Sequence, residues 1–510
     1  MDGVRPRHGW LLAASPVQWE HMRVVNAIAF GSIRQASRFA VWVALLAAWI
    51  EIAAATEADS PATYQGPCAV AVSRDGKVAY VANAHACEVA WVELDGGKVV
   101  RRVAMPGEPT GAVLVPDGSK LIVACAAPKS TIVVLDARSG QSLASIPAGH
   151  TATGPAVSPD GKRLYVCNRF SGDVSVIDLA AAKPVARVRA VREPIAAAVT
   201  PDGRTVLVAN HLPNARTDDA HGGDVSPVVS VIDAQTLQTT SIELPHGATG
   251  VRGLCIAPDG KQAFVTHLLS NFQKIPFRVD MGWINVNVIS IIDLAGRKVI
   301  RTTGMDEQDN GAANPWDVIC TADGKMVCVS LSGIHQVCFI ERSVLLSDAA
   351  RSMSPMIVAW PIYPSLGATL WQRVPLPGKG PRGLAVSGSR VFAAQYFSDS
   401  LAVIDTKDKE HPGAGAVALG KTPPLTLERR GELLFNDATI CYQRWQSCGS
   451  CHPDGRTDGL TWDLMNDGVG NAKSTKGMLL SHQTPPAMAE GVRMSAEEAV
   501  RSGIRNILFS

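Results

Sequence analysis

Neither a strong net charge nor a long apolar run is present in this 510-residue chain. Lys and Arg number 48 against 46 Asp and Glu, a formal net charge of +2, and no stretch gathers the basic residues together. A nucleic-acid partner, which requires a concentrated positive face, is therefore not expected. No apolar segment approaches the about 20 residues of a membrane-spanning helix; the run 39–50 is stopped by Glu51. What stands there instead is an export pattern. Arg34 and Arg38 precede the run, Ala53-Ala54-Ala55 follows it, and polar sequence begins at Thr56. A charged start, a short apolar centre and small residues at the exit describe a signal peptide over 1–55, and hence a periplasmic or cell-surface protein. The alternative is a retained N-terminal anchor, the one case in which a membrane is a partner; the segment before the run is long for a signal, Met22 offers a later start, and either way the mature chain faces the periplasm or cell surface.

Eleven cysteines in an oxidising compartment suggest disulfides. However, Cys125, Cys167, Cys255, Cys328 and Cys338 lie in apolar strand-like runs, where buried free thiols are the commoner outcome, and no pairing is assigned.

From 66 to 419 the chain repeats itself. Asp-Gly sits between two apolar runs at Asp75, Asp117, Asp160, Asp202, Asp259 and Asp323, with separations of 42, 43, 42, 57 and 64 residues. Asp-Gly between β-rich runs is a hairpin signal, because both positions tolerate positive φ. Four short strands per repeat of about 40 residues denote a β-propeller blade. A further unit from Pro381 uses Gly388-Ser389 as its turn, which brings the expected count to seven blades. The longer spacings reflect insertions at 212–225, 269–287 and 343–376. Tyr80-Val81-Ala82-Asn83, Tyr165-Val166-Cys167-Asn168 and Val208-Ala209-Asn210 resemble the YVTN-type propeller repeat. That resemblance implies fold and leaves function open. Asn210-His211, Thr266-His267, Trp283 and Asn314-Pro315-Trp316 fall outside the strand cores. They read either as satisfied strand-end residues, the favoured reading, or as a functional face at the propeller mouth.

After Pro423-Pro424 the composition changes. Helices are expected over 426–435 and after the capping box Ser495-Ala496-Glu497-Glu498. Between them lies Cys448-Gly449-Ser450-Cys451-His452. Two thiols three positions apart reach the two vinyl groups of one porphyrin, and the adjacent imidazole reaches its iron from one face. The pattern predicts one covalent haem c held by Cys448 and Cys451, with His452 as proximal iron ligand. A zinc or disulfide use of the same cysteines, with Cys441 added, is the alternative. For the distal side, His482 and Met488 bracket a proline-rich loop, and Met465, Met478 and Met494 are further candidates.

The segment 426–510, through 430–435, 448–452 and 471–493, resembles the diheme cytochrome c peroxidase group. That resemblance implies a small all-α cytochrome c-like domain following the all-β propeller. Members carry a second C-x-x-C-H, and none occurs here. The chain stops at Ser510, which reads as a truncated sequence or a single-haem relative. The expected function is an exported haem protein in electron transfer, or in peroxide reduction. A redox partner protein or small electron donor is implied, with the propeller as docking platform; no catalytic residue is nominated. The other reading is a propeller binding or cell-surface interaction protein with a regulatory or residual haem.

Overall fold

Each Asp-Gly pair makes the tight turn its spacing promises. In the third repeat, Asp160 accepts hydrogen bonds from the Ser158 hydroxyl at 2.6 Å and the Lys162 amide at 3.0 Å, and Gly161 sits at φ +71°. The aspartates at 75, 117, 202, 259 and 323 likewise accept the amide two residues on, and the glycine that follows each has positive φ. Each carboxylate thus mimics a backbone acceptor, and each glycine adopts the left-handed conformation that closes the hairpin.

These hairpins build a seven-bladed β-propeller. The structure, a computed structural model, describes residues 63–214, 225–273, 284–307, 309–347, 371–408, 412–463, 470–488 and 491–510. Among them, seven antiparallel sheets follow one another over 67–104, 108–147, 152–189, 194–243, 248–304, 315–375 and 381–418. Six have four strands; the fifth has five because its first strand is split into Ala248–Thr249 and Leu254–Ile256. The expected seventh blade turns at Gly388, φ +58°. Much of each anticipated insertion, Trp283 included, lies outside the described residues. Part of the second is strand rather than loop, because Gln262–Ser270 and Asn285–Asp293 form a long nine-residue pair.

Seven apolar clusters lie one at each seam between neighbouring blades. Along the axis the first strands come close enough to exclude side chains. A Cβ added to Gly253 would lie 2.7 Å from the Trp316 carbonyl oxygen, 2.8 Å from the Val318 nitrogen and 2.9 Å from the Asp317 Cα. Gly383 stands in the same relation to Ala69, and Gly154 to Ile195 and Ala196.

The C-terminal segment departs from the expected all-α domain. Leu427–Asn436 is a helix capped by Thr426, whose hydroxyl accepts from the Arg429 amide, and Ala496–Asn506 follows the Ser495 cap. Among the described residues between them are the four-residue helix Cys448–Cys451, 3-10 turns and the small hairpin Thr461–Trp462 with Lys473–Ser474. The physical reason is where its backbone groups find partners. The Gln443 carbonyl accepts from the Gly311 amide, the Trp445 carbonyl from Asn287 Nδ2, and the Asp458 carbonyl from the Thr249 hydroxyl. With those groups satisfied by the propeller, the segment has less need of helices of its own. Residues 62–510 form one compact unit.

Gly253→Ala forces a methyl group into three backbone atoms of the next blade and is expected to destabilise the protein by about 2 kcal/mol or more. Gly413→Ala, whose Cβ would meet nothing within 4 Å, is the matched control. Equal denaturation midpoints for the two variants would refute the close-approach account.

Candidate functional site

All of the C-terminal segment's contacts described below fall on one face of the propeller, opposite the Asp-Gly turns. It engages loops that follow the second strands of the blades or join one blade to the next. Leu433 packs beside Ala84 of blade one and Tyr396 and Phe397 of blade seven. Asp437 takes Lys379 at 3.1 Å and His335 at 3.3 Å. Leu460 and Trp462 join Val225, Phe272 and Ile284 in an apolar cluster.

The helix carrying the two cysteines is gripped at its N-terminus. Asn314 of the propeller donates to the Ser447 hydroxyl at 2.7 Å and accepts from the Ser450 hydroxyl at 2.7 Å. Those two serines themselves form a capping box. Asn285, on blade five, donates to Gln446 at 3.0 Å and approaches the Cys451 sulfur at 3.5 Å. Cys448 and Cys451 are half-buried free thiols. Burial pushes the Cys451 thiol up to about 12 and also raises that of Cys448.

His452 is set up as a ligand would be. Its Nδ1 faces the Lys476 carbonyl oxygen at 2.9 Å and that of Arg456 at 3.3 Å. Carbonyl oxygens can only accept, so Nδ1 carries the proton and Nε2 keeps its lone pair. Burial lowers the imidazole below its ordinary value, so the ring is neutral at pH 7, as metal ligation requires. A carbonyl behind the distant ring nitrogen is the usual support of a ligating histidine. The residues present therefore fit a c-type haem. The zinc alternative has no ligand set, since among the described residues no group of three or more His, Cys, Asp or Glu is arranged to hold a metal ion.

Both distal candidates lie exposed, His482 in a 3-10 turn and Met488 at φ +69°. The chain leading to them is tied beside His452, because Lys476 accepts from its ring and the Met478 amide donates to the Gly455 carbonyl at 2.8 Å. Leu479, Leu480, Met488, Val492, Met494 and Val500 leave apolar surface uncovered, and the helix Ala496–Asn506 buries none of its residues. Met465 falls outside the described residues.

Two residues after His452, Asp454 bridges two blades. It meets Arg169 of blade three at 2.7 Å and Arg252 of blade five at 2.8 Å, while a third of its side chain remains exposed. Burial works to raise its carboxyl, but Arg252 and Arg169 outweigh that and hold it well below the usual carboxylate range. Arg252 also stacks on Trp316, with Arg382 on the same ring, at 4.2 and 4.6 Å. Phe170 takes Arg169 and Arg456.

The sequence singled out Asn314 and Trp316, and both meet this assembly, against the satisfied strand-end reading. Asn210 and His267 do not; they are buried and bonded within their own blades. His211 is buried with Nδ1 on the Val251 carbonyl and Nε2 without a partner. Arg169, Arg252, Asn285 and Asp454 were not anticipated, and no local pattern distinguishes them.

Comparison with known proteins bears on the propeller. Residues 117–270, within blades two to five, match the family described as the cytochrome D1 heme domain. Hydrazine synthase subunit beta of Kuenenia stuttgartiensis is 28% identical over 190 residues, 36% of this chain and 48% of that protein. Hydrazine synthase subunit gamma of the same organism is 36% identical over 105 residues, 17% of this chain and 30% of that protein. The chain thus spans less than half the length of either curated relative. A solved structure of Kuenenia stuttgartiensis hydrazine synthase superposes with a TM-score of 0.60 at 25% identity, covering 68% of this chain and 97% of that one. These likenesses place the chain with haem-related β-propeller proteins.

Proposed function

We propose that this chain is an exported c-type haem protein of electron transfer whose propeller serves as the rigid seat of the haem-bearing segment. The observation that carries the reading is His452: it is neutral, its Nδ1 is committed to the Lys476 carbonyl, and it adjoins two free thiols one helical turn apart. A haem bound there supplies a one-electron couple, whose potential depends on the axial ligands and the burial around it. The chain's own residues orient it. Asn314 and Asn285 fix the helix, Lys476 fixes the ring, and Asp454 ties the following turn to blades three and five.

The match to the cytochrome D1 heme domain raises a second possible seat, in the propeller itself. Within the matched residues, Arg169 and Arg252, on the face that carries the C-terminal segment, are already engaged by Asp454. This favours the C-x-x-C-H. The likeness of the C-terminal motifs to the diheme cytochrome c peroxidase group, and of the repeats to the YVTN type, belongs to the same reading. Electron transfer asks for no more than the C-x-x-C-H at 448–452, whereas peroxide reduction asks for a second haem as electron donor, and electron transfer is the function we favour. The periplasm or cell surface, and a protein or small-molecule redox partner, complete the proposal.

Co-expression with a cytochrome c maturation system is expected to give a protein that retains its haem stain after denaturing electrophoresis. Cys448→Ala/Cys451→Ala should lose the stain, and equal staining of that variant would refute attachment there. His452→Ala should lose the native Soret and visible bands.

We place the sixth iron ligand in the loop 482–488. Met488→Ala, or failing it His482→Ala, should change spin state and midpoint potential. If both variants keep the parent spectrum and potential, the loop takes no part.

Asp454→Ala removes the anion shared by two guanidiniums, each about a tenth exposed; Arg169 keeps Glu193 at 2.9 Å, and Arg252 loses its carboxylate. Breaking a largely buried pair costs about 3–5 kcal/mol; solvent at Asp454 reduces that to about 1–2 kcal/mol. The expected signs are a lower melting temperature and faster proteolytic cleavage between 448 and 462. Unaltered cleavage would show that the clamp does not seat the segment.

A further inference from the structure

The first strands of adjacent blades meet side by side near the Asp-Gly turns, and the repeat fixes which residues touch. A residue four positions before the turn aspartate of one blade packs with the residue three positions before that of the next. Ala71 and Leu114 share the seam of blades one and two. Val113 and Val157 share that of blades two and three, and Ala198 and Ile256 that of blades four and five. At the seam of blades five and six the same two places hold Cys255, four before Asp259, and Cys320, three before Asp323. Their sulfurs are 3.6 Å apart, and both residues are partly exposed.

Apolar contact alone would be served by the aliphatic pairs used elsewhere in the ring. We propose that Cys255 and Cys320 are a dithiol–disulfide pair that, when oxidised, staples blade five to blade six. A disulfide needs the sulfurs at about 2.05 Å, so an approach of about 1.5 Å is required, within reach of side-chain rotation. The seam also favours one sulfur as nucleophile. The hydrogen bond shared with Cys255 and then the nearby Arg342 outweigh burial and lower the Cys320 thiol, whereas the same bond and burial raise that of Cys255 well above its ordinary value.

The oxidant is a disulfide, either of a low-molecular-weight thiol or of a thiol oxidase. The Cys320 thiolate attacks one of its sulfurs and expels the first thiolate. Cys255, on losing its proton, attacks the Cys320 sulfur of the mixed disulfide and expels the second. One S–S bond breaks and one forms; two electrons and two protons pass from the cysteine pair to the oxidant.

The test uses the full-length protein and oxidised glutathione, with alkylation in denaturant followed by peptide mass spectrometry. The expected product is a linked pair of peptides containing Cys255 and Cys320, two hydrogens lighter than the separate thiols. It should be absent from Cys255→Ser and Cys320→Ser. Reduction should lower the melting temperature of the parent by a few degrees and leave that of Cys255→Ala/Cys320→Ala unchanged. Alkylation of both cysteines after oxidation, or glutathione held on either one without a link, would overturn the proposal. The peptide readout on the parent does not depend on the variants folding, and Cys448 and Cys451 are followed separately.

Discussion

Among the described residues the ring closes without exchange of a strand: every blade is built from consecutive strands, so the join between the seventh blade and the first rests there on side chains and loops. Asp399 carries that join. One of its carboxylate oxygens accepts from the amides of Gln65 and Gly66, each at 2.9 Å, and its carbonyl accepts from Leu419. Arg102 reaches the Leu419 carbonyl, Arg390 the Gly76 carbonyl, and Phe392 and Leu401 pack against Val70 and Val81 below. Other seams are braced in related ways. Thr110 donates to the Ala152 carbonyl, Thr266 to that of Trp316 and Ser330 to that of Arg382. Only between blades seven and one must the two ends of the propeller be held together as well.

The C-terminal segment begins at that seam. The Tyr64 hydroxyl donates to the Pro424 carbonyl and accepts from the Thr426 amide. Arg429 donates to the Tyr396 carbonyl and lies over the Tyr64, Tyr396 and Phe397 rings. The helix Leu427–Asn436 thus covers the closure before the chain passes on over blades six and five to the cysteines. The same stretch of chain serves the integrity of the ring and the position of the site.

What could be read from the sequence was what depends on near neighbours. An Asp-Gly turn needs its own carboxylate and its own glycine, so six hairpins were visible, and Gly388 supplied the seventh. The Thr426 and Ser495 caps are equally local, and both helices begin where expected. The spacing of Cys448, Cys451 and His452 is local in the same way, and the short helix Cys448–Cys451 sets the two thiols one turn apart. The all-α expectation failed because helices at both ends said nothing of 437–494, where Gly311, Asn287 and Thr249 take the place of helical partners. Asn285 and Asn314 meet Gln446 and Ser447 across 161 and 133 residues, and no periodicity encodes such a meeting.

The segment bearing Cys448 and Cys451 is held on blades one, three, four, five, six and seven, through Leu433, Asp437, Ser447, Asp454, Leu460 and Arg429 among others. A group attached to those thiols is therefore not carried on a swinging arm. To move it away would mean releasing the clasp over the ring's own join, at the cost of the fold that seats it. Any molecule that exchanges something with that group has to come to it, and the distance between them is set by the visitor's shape rather than by the reach of a tether.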